Sequence, residues 1–421
     1  MCCTELNINQ TPNRPRPQAR AVFSFLERKM DAIRYMDAAR ELNLLHLGKS
    51  AGVVYWKPAG LKLYENLRAF IRRHHEARGY QEVRTPSLVQ LEVFERSGHL
   101  AKYRDYMFAA NQASEQAWDL SGYGLRPMSC PGHIEVYESE RRSHRELPLR
   151  LFEFGEVFRN EAAGALQVLF RQRQFCQDDS HVFVKRQQIG QEVQAYLEMA
   201  RKVYAELGFD QVEVSISLRP ELRFGADELW DEAEQALRDA CSQAGLPFDE
   251  EAGGGAFYGP KIEMGVRDKL NRRWQLGVIQ LDYVLPERFG LEYVEESDAR
   301  SRPVMLHHAV LGSLERMVGI LLEVHGVHLP EFLHPVPAVV VPVSGKSLAY
   351  AQQVAQRLRD KGQKVEVDES DDKLGAKLRR CKLKGVPNVW VVGEKEAQAF
   401  ADGAPMQATL SSAGENCLLE L

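Results

Sequence analysis

Residues 149–183 read LRLFEFGEVFRNEAAGALQVLFRQRQFCQDDSHVF, and this stretch decides the fold. Its alternating apolar residues predict a strand, a loop of small residues and a second strand that returns beside the first. Since side chains alternate between the two faces of a strand, one face of the second strand would carry a mostly polar set. That set is Arg171, Arg173, Phe175, Gln177, Asp179 and His181.

Arg159 and Glu161 are likewise predicted to share a face of the first strand. Cations, carboxylates, an amide and an imidazole on one sheet surface are costly to bury unless they bind something polar. A polyanionic ligand would satisfy the arginines, whereas an isolated hairpin would turn this face to water. The rest of the chain favours the ligand.

Composition sets the broad class of the protein. The chain has 421 residues, a net charge of −5, 44% hydrophobic and 27% charged residues, which is ordinary for a globular protein of two or three domains. RNA binding would therefore come from local basic patches rather than from the overall charge. No apolar run approaches the ~20 residues of a membrane span, so no membrane partner is expected.

The cysteines and the first residues bear on location. Seven cysteines without a CxxC pair indicate reduced thiols, and hence a cytoplasmic location. The Arg-rich start is interpreted as a disordered leader, and an organelle transit peptide, which implies an organelle matrix, is the alternative.

The element pattern predicts two domains. Residues 1–30 are assigned to a flexible tail, although a helical pattern runs from Val22 to about Leu47. Up to residue 335 helices flank many strands, mostly connected as meanders, which predicts an α+β domain built on an antiparallel sheet over 31–335. The tandem His74-His75 on its long amphipathic helix is interpreted as a surface pair.

After HPVPAVVVPV the order changes to strand, helix, strand, helix, strand. This alternation predicts a small α/β domain with a partly parallel sheet over 336–421. Pro330, Pro335 and Pro337 mark the predicted hinge.

Three separated residues raise the question of a metal site: Cys130 in PMSCPGH, His181 in DDSH and His307 in PVMLHHAV. One Cys and two His leave a fourth position open on Zn²⁺, the arrangement of a substrate-binding or catalytic zinc. Spacing alone supports this weakly, because distant residues combine into many triads. The alternative is a small buried thiol and two satisfied imidazoles.

Ser313 and Arg316 fall on one face of a predicted helix that starts after Gly312. The first turn of a helix favours a phosphate. A lone arginine there is usually just solvated, so context must decide.

Taken together, these stretches resemble the class II aminoacyl-tRNA synthetases, and within them the threonyl-tRNA synthetase family. ARGYQEVRTPSL is similar to motif 1, FRNEAAGAL with FRQRQFCQDDSHVF to motif 2, and VMLHHAVLGSLERMVGIL to motif 3. PMSCPGH, GAFYGPKIE and WQLGVIQLDY are similar to the threonyl branch. The resemblance implies a class II antiparallel sheet flanked by helices, a homodimer formed through motif 1, and a second domain like those that bind anticodons.

The resemblance also implies a ligase that activates L-threonine with ATP and transfers it to tRNA(Thr). Arg159 would bridge the amino-acid carboxylate and the α-phosphate, and Glu161 would read the adenine amino group. Arg171 and Arg316 would hold the β- and γ-phosphates, with Mg²⁺ sharing their charge. Fixed cations suit a reaction in which charge builds on phosphorus.

The same resemblance favours the metal-site interpretation, because it implies that Cys130, His181 and His307 hold Zn²⁺. The amine and hydroxyl of threonine would complete the zinc shell, so that valine loses a coordination bond. Asp179 would accept the hydroxyl proton.

The remaining implied roles belong to substrate binding and transfer. His99 and Gln280 would lie near the terminal ribose of tRNA, where the aminoacyl group is transferred. The lining of the amino-acid pocket would comprise Gln177, Tyr258, Lys261 and Ser313.

Two departures from the family lie outside the second domain. The chain begins almost directly at the catalytic domain, so serine activation without editing in cis is expected. Zinc would accept serine as well, and one methyl group discriminates by only about 1–3 kcal/mol. Val168 stands where the family usually has a glycine, and a short insertion over 112–123 precedes PMSCPGH.

A third departure is the end of the second domain, GAPMQATLSSAGENCLLEL, which has no arginine around Ala408 although Glu396 is kept. Relaxed or lost anticodon recognition is one interpretation. The other is that a different basic surface serves instead, formed by Arg379, Arg380, Lys382 and Lys384.

Three functions follow from these observations. Threonine–tRNA ligation is the leading one. The second is threonine activation for a carrier protein or another non-tRNA acceptor, which the retention of His99 and Gln280 disfavours. The third is a non-catalytic tRNA-sensing paralogue, which the retained arginines and zinc ligands disfavour.

Overall fold

The computed structural model describes residues 35–110, 120–209, 211–267, 271–412 and 415–420. Their contacts form two compact units. The first unit contains Leu47–Val54 and Arg68–Ile320, and the second contains 35–46, Tyr55–Leu67 and the described residues from Leu321 on. The domain borders at residues 30 and 335 stay predictions. Among the described residues, no helix is both long and apolar enough to cross a membrane.

An eight-stranded sheet forms the centre of the first unit. Its strands are β1 (Gln81–Glu82), β2 (Leu149–Phe158), β3 (Gln174–Val184), β4 (Val212–Ser217), β5 (Asp249–Glu251), β6 (Lys261–Arg267), β7 (Arg273–Asp282) and β8 (Val304–Ala309). They lie in the order β5-β4-β6-β7-β8-β3-β2-β1. The outermost pairs, β1 with β2 and β4 with β5, are parallel, and the five inner pairs are antiparallel. The predicted antiparallel-rich sheet is confirmed.

Both units also contain helices, and short strands pair in small sheets. Besides the helical residues 35–41, the α-helices of the described residues are α1 (Pro58–Glu76), α2 (Leu91–Arg96), α3 (His99–Tyr103), α4 (Cys130–Glu138), α5 (Ile189–Glu206), α6 (Asp227–Gln243), α7 (Val284–Arg288), α8 (Leu314–His325), α9 (Leu348–Asp360), α10 (Leu374–Leu383) and α11 (Glu394–Ala401). Short strands pair in three small sheets: Leu45–His46 with Tyr55–Trp56; Leu88–Gln90 and Phe108–Ala109 with Tyr123–Leu125; Arg142–Ser143 and Arg300–Ser301 with Tyr293–Val294.

β2 and β3 form the predicted hairpin, paired from Leu149 with Phe183 to Phe158 with Gln174. One further bond crosses the hairpin, from the backbone N–H of Arg159 to Arg173 O at 2.8 Å. The N–H of Arg173 donates to Gly52 O at 2.7 Å instead of to β2, and the regular ladder goes no further. The prediction that Arg159, Glu161, Arg171 and Arg173 project from strand faces is therefore wrong, and these four residues belong to the connecting loop.

The helix predicted over 22–47 is wrong at its end. Residues 35–41 are helical, but Leu45–His46 is a strand, and Asn43 between them has a φ of 54°. Residues 22–34 lie outside the described part of the chain, as do residues 111–119 of the predicted insertion.

α1 corrects the interpretation of the tandem histidines. His75 is fully buried, its ring stacks on Phe152 with centroids 4.6 Å apart, and its Nε2 lies 3.1 Å from Ser180 Oγ. His75 extends the buried stripe of Leu67 and Ile71 at intervals of four residues, which is the spacing of one helix face. The pair is therefore not a surface pair.

α5 fixes the end of β8. The hydroxyl of Tyr196 donates to Ala309 O at 3.1 Å, and that of Tyr204 donates to Val310 O at 2.7 Å. Two buried phenols thus satisfy carbonyl groups where the strand stops. The chain then turns through Gly312, with a φ of 73°, into α8.

The second unit contains the predicted strand–helix alternation. Its strands are β9 (Ala338–Pro342), β10 (Val365–Val367), β11 (Asn388–Val392), β12 (Gln407–Ser412) and β13 (Glu415–Glu420). They lie in the order β10-β9-β11-β12-β13, with β9 parallel to both β10 and β11 and the last two pairs antiparallel. Val340, Val354, Leu358 and Trp390 lie in its apolar core.

Candidate active site

The register of the eight-stranded sheet aligns four predicted site residues in one row. Lys261 of β6 pairs with Gln280 of β7, Gln280 with His307 of β8, and His307 with His181 of β3. Residues directly opposite in antiparallel strands point to the same face. All four residues are buried. The face of the sheet that carries this row is called the buried polar face below.

β3 adds two residues to that face. Gln177 and Asp179 precede His181 at intervals of two, so they point the same way, and burial raises the pKa of Asp179. Three buried atoms have no hydrogen-bond partner among the described residues: Gln177 Oε1, Asp179 Oδ2 and His181 Nε2. Buried polar groups normally have a partner, so these atoms indicate a place for a polar ligand.

Cys130, His181 and His307 come together as predicted. One potential ligand atom from each lies within 4.8 Å of the other two, and all three residues are buried. Zn²⁺ binds sulfur at about 2.3 Å and imidazole nitrogen at about 2.0–2.1 Å, so donors this close together would suit a single zinc ion. A thiolate and two imidazoles are donors that Zn²⁺ prefers.

Neighbours support the metal-binding form of these histidines. Burial lowers the pKa of His181 well below its ordinary value, which keeps the imidazole neutral. His307 Nε2 lies 2.8 Å from Asp282 Oδ2, and Asp282 Oδ1 accepts the backbone N–H groups of Val284 and Leu285 at the start of α7. With Asp282 on Nε2, Nδ1 of His307 is the nitrogen suited to a metal.

Arg159 lies just past the end of β2. Its Nε donates to Pro127 O at 3.3 Å, and its guanidinium lies over the ring of Phe175, 5.1 Å from the centroid. One of its terminal nitrogens, Nη2, is buried without a partner in the described part of the chain. A fixed, partly desolvated cation of this kind suits an anionic ligand.

Arg316 lies in the first turn of α8. Its backbone N–H donates to Ser313 Oγ at 3.2 Å, which makes Ser313 the capping residue of that helix start. Burial lowers the pKa of Arg316 to about 10. A cation that burial disfavours gains from an anion placed beside it.

The loop between β2 and β3 brings Glu161 and Arg171 together. Arg171 Nη2 lies 2.8 Å from Glu161 Oε2, and Arg173 Nε donates to Glu161 O at 3.0 Å. Of these three residues, Glu161 and Arg171 were predicted to contact ATP, and here they form an ion pair with each other.

His99, at the start of α3, is fully buried, and its ring lies near those of Tyr103 and Phe257. Its Nδ1 lies 2.7 Å from Ser97 Oγ, and its ring meets that of Phe257 edge to face with centroids 6.4 Å apart. Tyr258, the next residue, has its ring centroid 5.2 Å from that of His307. Burial lowers the pKa of His99 to about 3, so the imidazole is neutral.

The glycine-rich turn before β6 anchors Gln280. The side-chain Nε2 of Gln280 donates to Gly259 O at 3.0 Å. A Cβ at Gly259 would lie 1.7 Å from Leu281 O, so only glycine allows this approach. Lys261, two residues further on, forms an ion pair with Glu263 at 2.8 Å.

Several residues that organise the site were missed from the sequence. Asp178 accepts the backbone N–H groups of Val310, Leu311 and Gly312, which fastens β3 to the turn before α8. Burial raises the pKa of Asp178 to about 7 against those hydrogen bonds. The sequence feature that could have drawn attention to Asp178 is its position next to Asp179, which places it on the opposite face of the strand.

Asp282 was missed although it follows Gln280 by two residues, which places both on one strand face. His133 was missed although it follows Cys130 by three residues on α4, the spacing of one helix face. Both signals are common in structural cores, so neither identifies a site by itself.

The fold and this site match one class of enzymes. Residues 116–325 match the family described as tRNA synthetase class II core domain (G, H, P, S and T), and residues 337–401 match the anticodon binding domain family. The chain therefore has the domains of a class II tRNA synthetase.

Individual relatives narrow the class. The threonine–tRNA ligase of Burkholderia mallei is 45% identical over 361 residues, which cover 86% of this chain and 56% of that one. A crystal structure titled as the RNA binding domain of threonyl-tRNA synthetase from Cryptosporidium parvum Iowa II is 36% identical, with a TM-score of 0.86, and the match covers 92% of this chain and 95% of that one. This chain belongs to the threonyl-tRNA synthetase family, as its motifs predicted.

A more distant match shows the fold alone. Prolyl-tRNA synthetase of Giardia lamblia, in a complex with prolyl-adenylate, is 17% identical with a TM-score of 0.71, and the match covers 93% of this chain and 75% of that one. The chain spans about half the length of the curated relatives it matches, 56% of the Burkholderia mallei ligase.

Proposed function

We propose that this chain activates L-threonine with ATP to threonyl-adenylate and transfers the threonyl group to tRNA(Thr). The observation that carries the proposal is the cluster of Cys130, His181 and His307, with ligand atoms within 4.8 Å of one another on the buried polar face. Asp179 lies beside it, with Oδ1 4.0 Å from His181 Nε2. A β-hydroxy amino acid offers the two polar groups that such a place would bind.

The cluster fits zinc, and a bound Zn²⁺ would supply two coordination positions for an amine and a hydroxyl while lowering the pKa of the hydroxyl. In this proposal Asp179 accepts the hydroxyl proton as a hydrogen bond, and its buried Oδ2 has no partner among the described residues. Gln177, Tyr258, Lys261 and Ser313 line the amino-acid pocket. Valine lacks the hydroxyl and leaves Asp179 unsatisfied, which costs more than the loss of a methyl contact.

The arginines bind the nucleotide in this proposal. Arg159 bridges the carboxylate of threonine and the α-phosphate, where negative charge grows as the adenylate forms. Arg316 and Arg171 bind the β- and γ-phosphates together with Mg²⁺, and Glu161 binds the adenine amino group. The ion pair of Glu161 and Arg171 would open when ATP binds, because each side chain gains a partner on the nucleotide.

Transfer to tRNA uses the neighbouring residues of the same unit. His99 and Gln280 lie near the terminal ribose in this proposal, and the neutral imidazole of His99 can accept a hydrogen bond from a ribose hydroxyl group. The second unit would bind the anticodon stem-loop, since residues 337–401 match the anticodon binding domain family. A homodimer through the motif 1 stretch, residues 77–88, completes the proposal.

A second acceptor is supported by one observation. The family has an arginine near the position of Ala408. Here Ala408 is fully buried in β12, so its side chain offers no cation to an anticodon base. Recognition of the anticodon would then be relaxed, or the threonyl group would go to a carrier protein or another non-tRNA acceptor.

Amino-acid-dependent exchange of pyrophosphate into ATP tests the first step. Threonine should support exchange, serine about 10- to 200-fold less, and valine about 10⁴-fold less, because only valine lacks the hydroxyl. Equal exchange with valine and threonine would contradict the proposal. No exchange with threonine would leave the non-catalytic paralogue as the function.

Transfer is tested with tRNA(Thr) transcripts that carry altered anticodons. Loss of charging with the altered transcripts supports anticodon reading, whereas equal charging supports relaxed recognition. The predicted absence of editing concerns this polypeptide alone: Ser-tRNA(Thr) should persist in its presence, and rapid hydrolysis would contradict that prediction.

A further inference from the structure

His181, one of the three cluster residues, contacts a second histidine that belongs to no predicted site. Its Nδ1 lies 2.9 Å from Nδ1 of His133, and both side chains are fully buried. At that distance one nitrogen must donate a proton and the other must accept it. The direction of this hydrogen bond decides which nitrogen of His181 has a lone pair left.

Glu153 acts on the far side of His133. Its Oε1 lies 3.4 Å from His133 Nε2, an electrostatic contact rather than a hydrogen bond, and the carboxylate is buried. Arg126 Nη1 lies 2.8 Å from Oε1, and Thr85 donates its backbone N–H to Oε2 at 3.0 Å and its hydroxyl to Oε1 at 2.8 Å. A carboxylate held by a guanidinium and two further donors is ionised and can only accept.

The direction of the hydrogen bond follows from that carboxylate. An acceptor beside Nε2 favours the form of His133 that carries its proton on Nε2 and a lone pair on Nδ1. That lone pair accepts the Nδ1 proton of His181. His181 is then left with its lone pair on Nε2, the buried atom for which the described residues offer no partner.

We propose that His133, oriented by Glu153, is a positioning residue that holds His181 in the tautomer whose Nε2 can bind a metal. This inference rests on the proposed zinc site. It parallels the contact of Asp282 with His307, except that a second imidazole stands between carboxylate and ligand. A carboxylate two residues removed from the metal would therefore control its affinity.

α4 must approach Thr85 closely for this arrangement. A Cβ at Gly132 would lie 2.6 Å from Thr85 Oγ1 and 2.8 Å from Thr85 Cβ. Glycine at this position lets the helix that carries Cys130 and His133 pack against the residue that holds Glu153. The contact of Gly132 with Thr85 therefore positions both the thiol of Cys130 and the imidazole of His133.

The affinity of the metal-free protein for Zn²⁺, measured by competition with a chromophoric chelator, tests the proposal. Glu153→Gln should weaken zinc binding about 10- to 100-fold, because an amide can also donate to His133 and favour the wrong tautomer. Glu192→Gln is the matched control. Glu192 is also a buried carboxylate paired with an arginine, Arg150 at 2.6 Å, but it belongs to another network of the same unit. It should keep the wild-type affinity.

Two variants of His133 separate positioning from packing. His133→Leu removes the acceptor and should weaken zinc binding about 10- to 100-fold, whereas His133→Asn, whose Oδ1 replaces Nδ1, should stay within about threefold of wild type. Melting temperatures of the metal-free variants report folding. If His133→Leu does not fold, the comparison of Glu153→Gln with Glu192→Gln decides.

Wild-type affinity in Glu153→Gln, or an equal loss in Glu192→Gln, would overturn the positioning role while leaving the zinc site intact. A wild-type protein that does not bind Zn²⁺ would overturn the site itself, and the inference with it.

Discussion

The two main sheets of this molecule differ in the side chains that they bury. The eight-stranded sheet buries a row of Lys261, Gln280, His307 and His181 on one face. The five-stranded sheet of the second unit buries apolar residues on both faces, with Val340 and Trp390 in one cluster and Val341 and Val389 in another. Its ionic contacts, such as Arg380 with Asp368 at 2.7 Å, lie towards the surface.

The difference indicates that the eight-stranded sheet carries a binding site, whereas the five-stranded sheet mainly stabilises its own unit. Buried polar groups cost stability unless they are hydrogen-bonded. Gln177 Oε1, Asp179 Oδ2 and His181 Nε2 of the first sheet have no partner among the described residues, which points to ligand binding there. Buried apolar faces stabilise a domain by themselves and leave recognition to the surface. Substitutions in the first sheet should therefore change activity more than stability, and substitutions in the second sheet should do the reverse.

The largest expected effect is that of Cys130→Ala. Loss of the thiolate should remove stoichiometric zinc and lower threonine-dependent exchange about 1,000-fold, equivalent to ~4 kcal/mol. Metal analysis and pyrophosphate exchange measure the two quantities. Cys241→Ala is the control, since Cys241 is a buried cysteine of α6 outside the cluster. Full activity of zinc-free Cys130→Ala would contradict the claim that the eight-stranded sheet carries the chemistry through a metal site.

Arg316→Gln should lower kcat for exchange about 100-fold, roughly 3 kcal/mol, because a fixed cation for the phosphates is lost. Zinc content should not change. Arg300→Gln removes an exposed arginine paired with Glu292 and should leave exchange within about twofold of wild type. An unchanged kcat in Arg316→Gln would show that the buried cation has another role.

Val340→Ala should lower the free energy of unfolding by about 2 kcal/mol, since it opens a small cavity in the core of the second unit. Threonine-dependent exchange should stay within about twofold of wild type. Val343→Ala is the exposed control and should change stability by less than about 0.5 kcal/mol. Lost exchange in a folded Val340→Ala protein would contradict the separation of the two roles.

The smallest effect is a dependence of stability on pH. Burial alone would raise the pKa of Glu153, but His133 and Arg126 hold the carboxyl at a pKa of about 2, below its usual 4.5. A lowered pKa in the folded state means that the ionised group stabilises the fold above about pH 4.5 and that this contribution is lost as the pH falls towards 2.

Denaturant unfolding of wild type and Glu153→Gln measures this contribution. The stability difference between them should shrink by about 1 kcal/mol between about pH 6 and about pH 3.5. A constant difference over that range would show that the pKa of Glu153 is the same in the folded and the unfolded protein.

Much of this molecule could be predicted from local patterns. The hairpin of β2 and β3, the strand–helix alternation of the second unit and the turn at Gly312 all follow from short-range periodicity. The same periodicity failed where tertiary hydrogen bonds took over. Arg173 continues the alternating pattern, yet its N–H donates to Gly52 O, and β3 begins only at the next residue, Gln174.

The site divides in the same way. Family motifs pointed to Cys130, His181 and His307, and the structure brings these residues together. Asp282 and Glu153 were not predicted, because each contacts a histidine that is distant from it in the sequence.

The amino-acid sequence alone determined most of the strands and helices, though not all of their ends, since hydrophobic periodicity and glycine or proline positions are local properties. It also determined the family, through residue types at fixed spacings. The tertiary structure decided the register that sets His181 opposite His307 and the hydrogen bond that joins His133 to His181. Strand pairing and buried hydrogen bonds depend on how distant segments pack, so no local pattern could specify them.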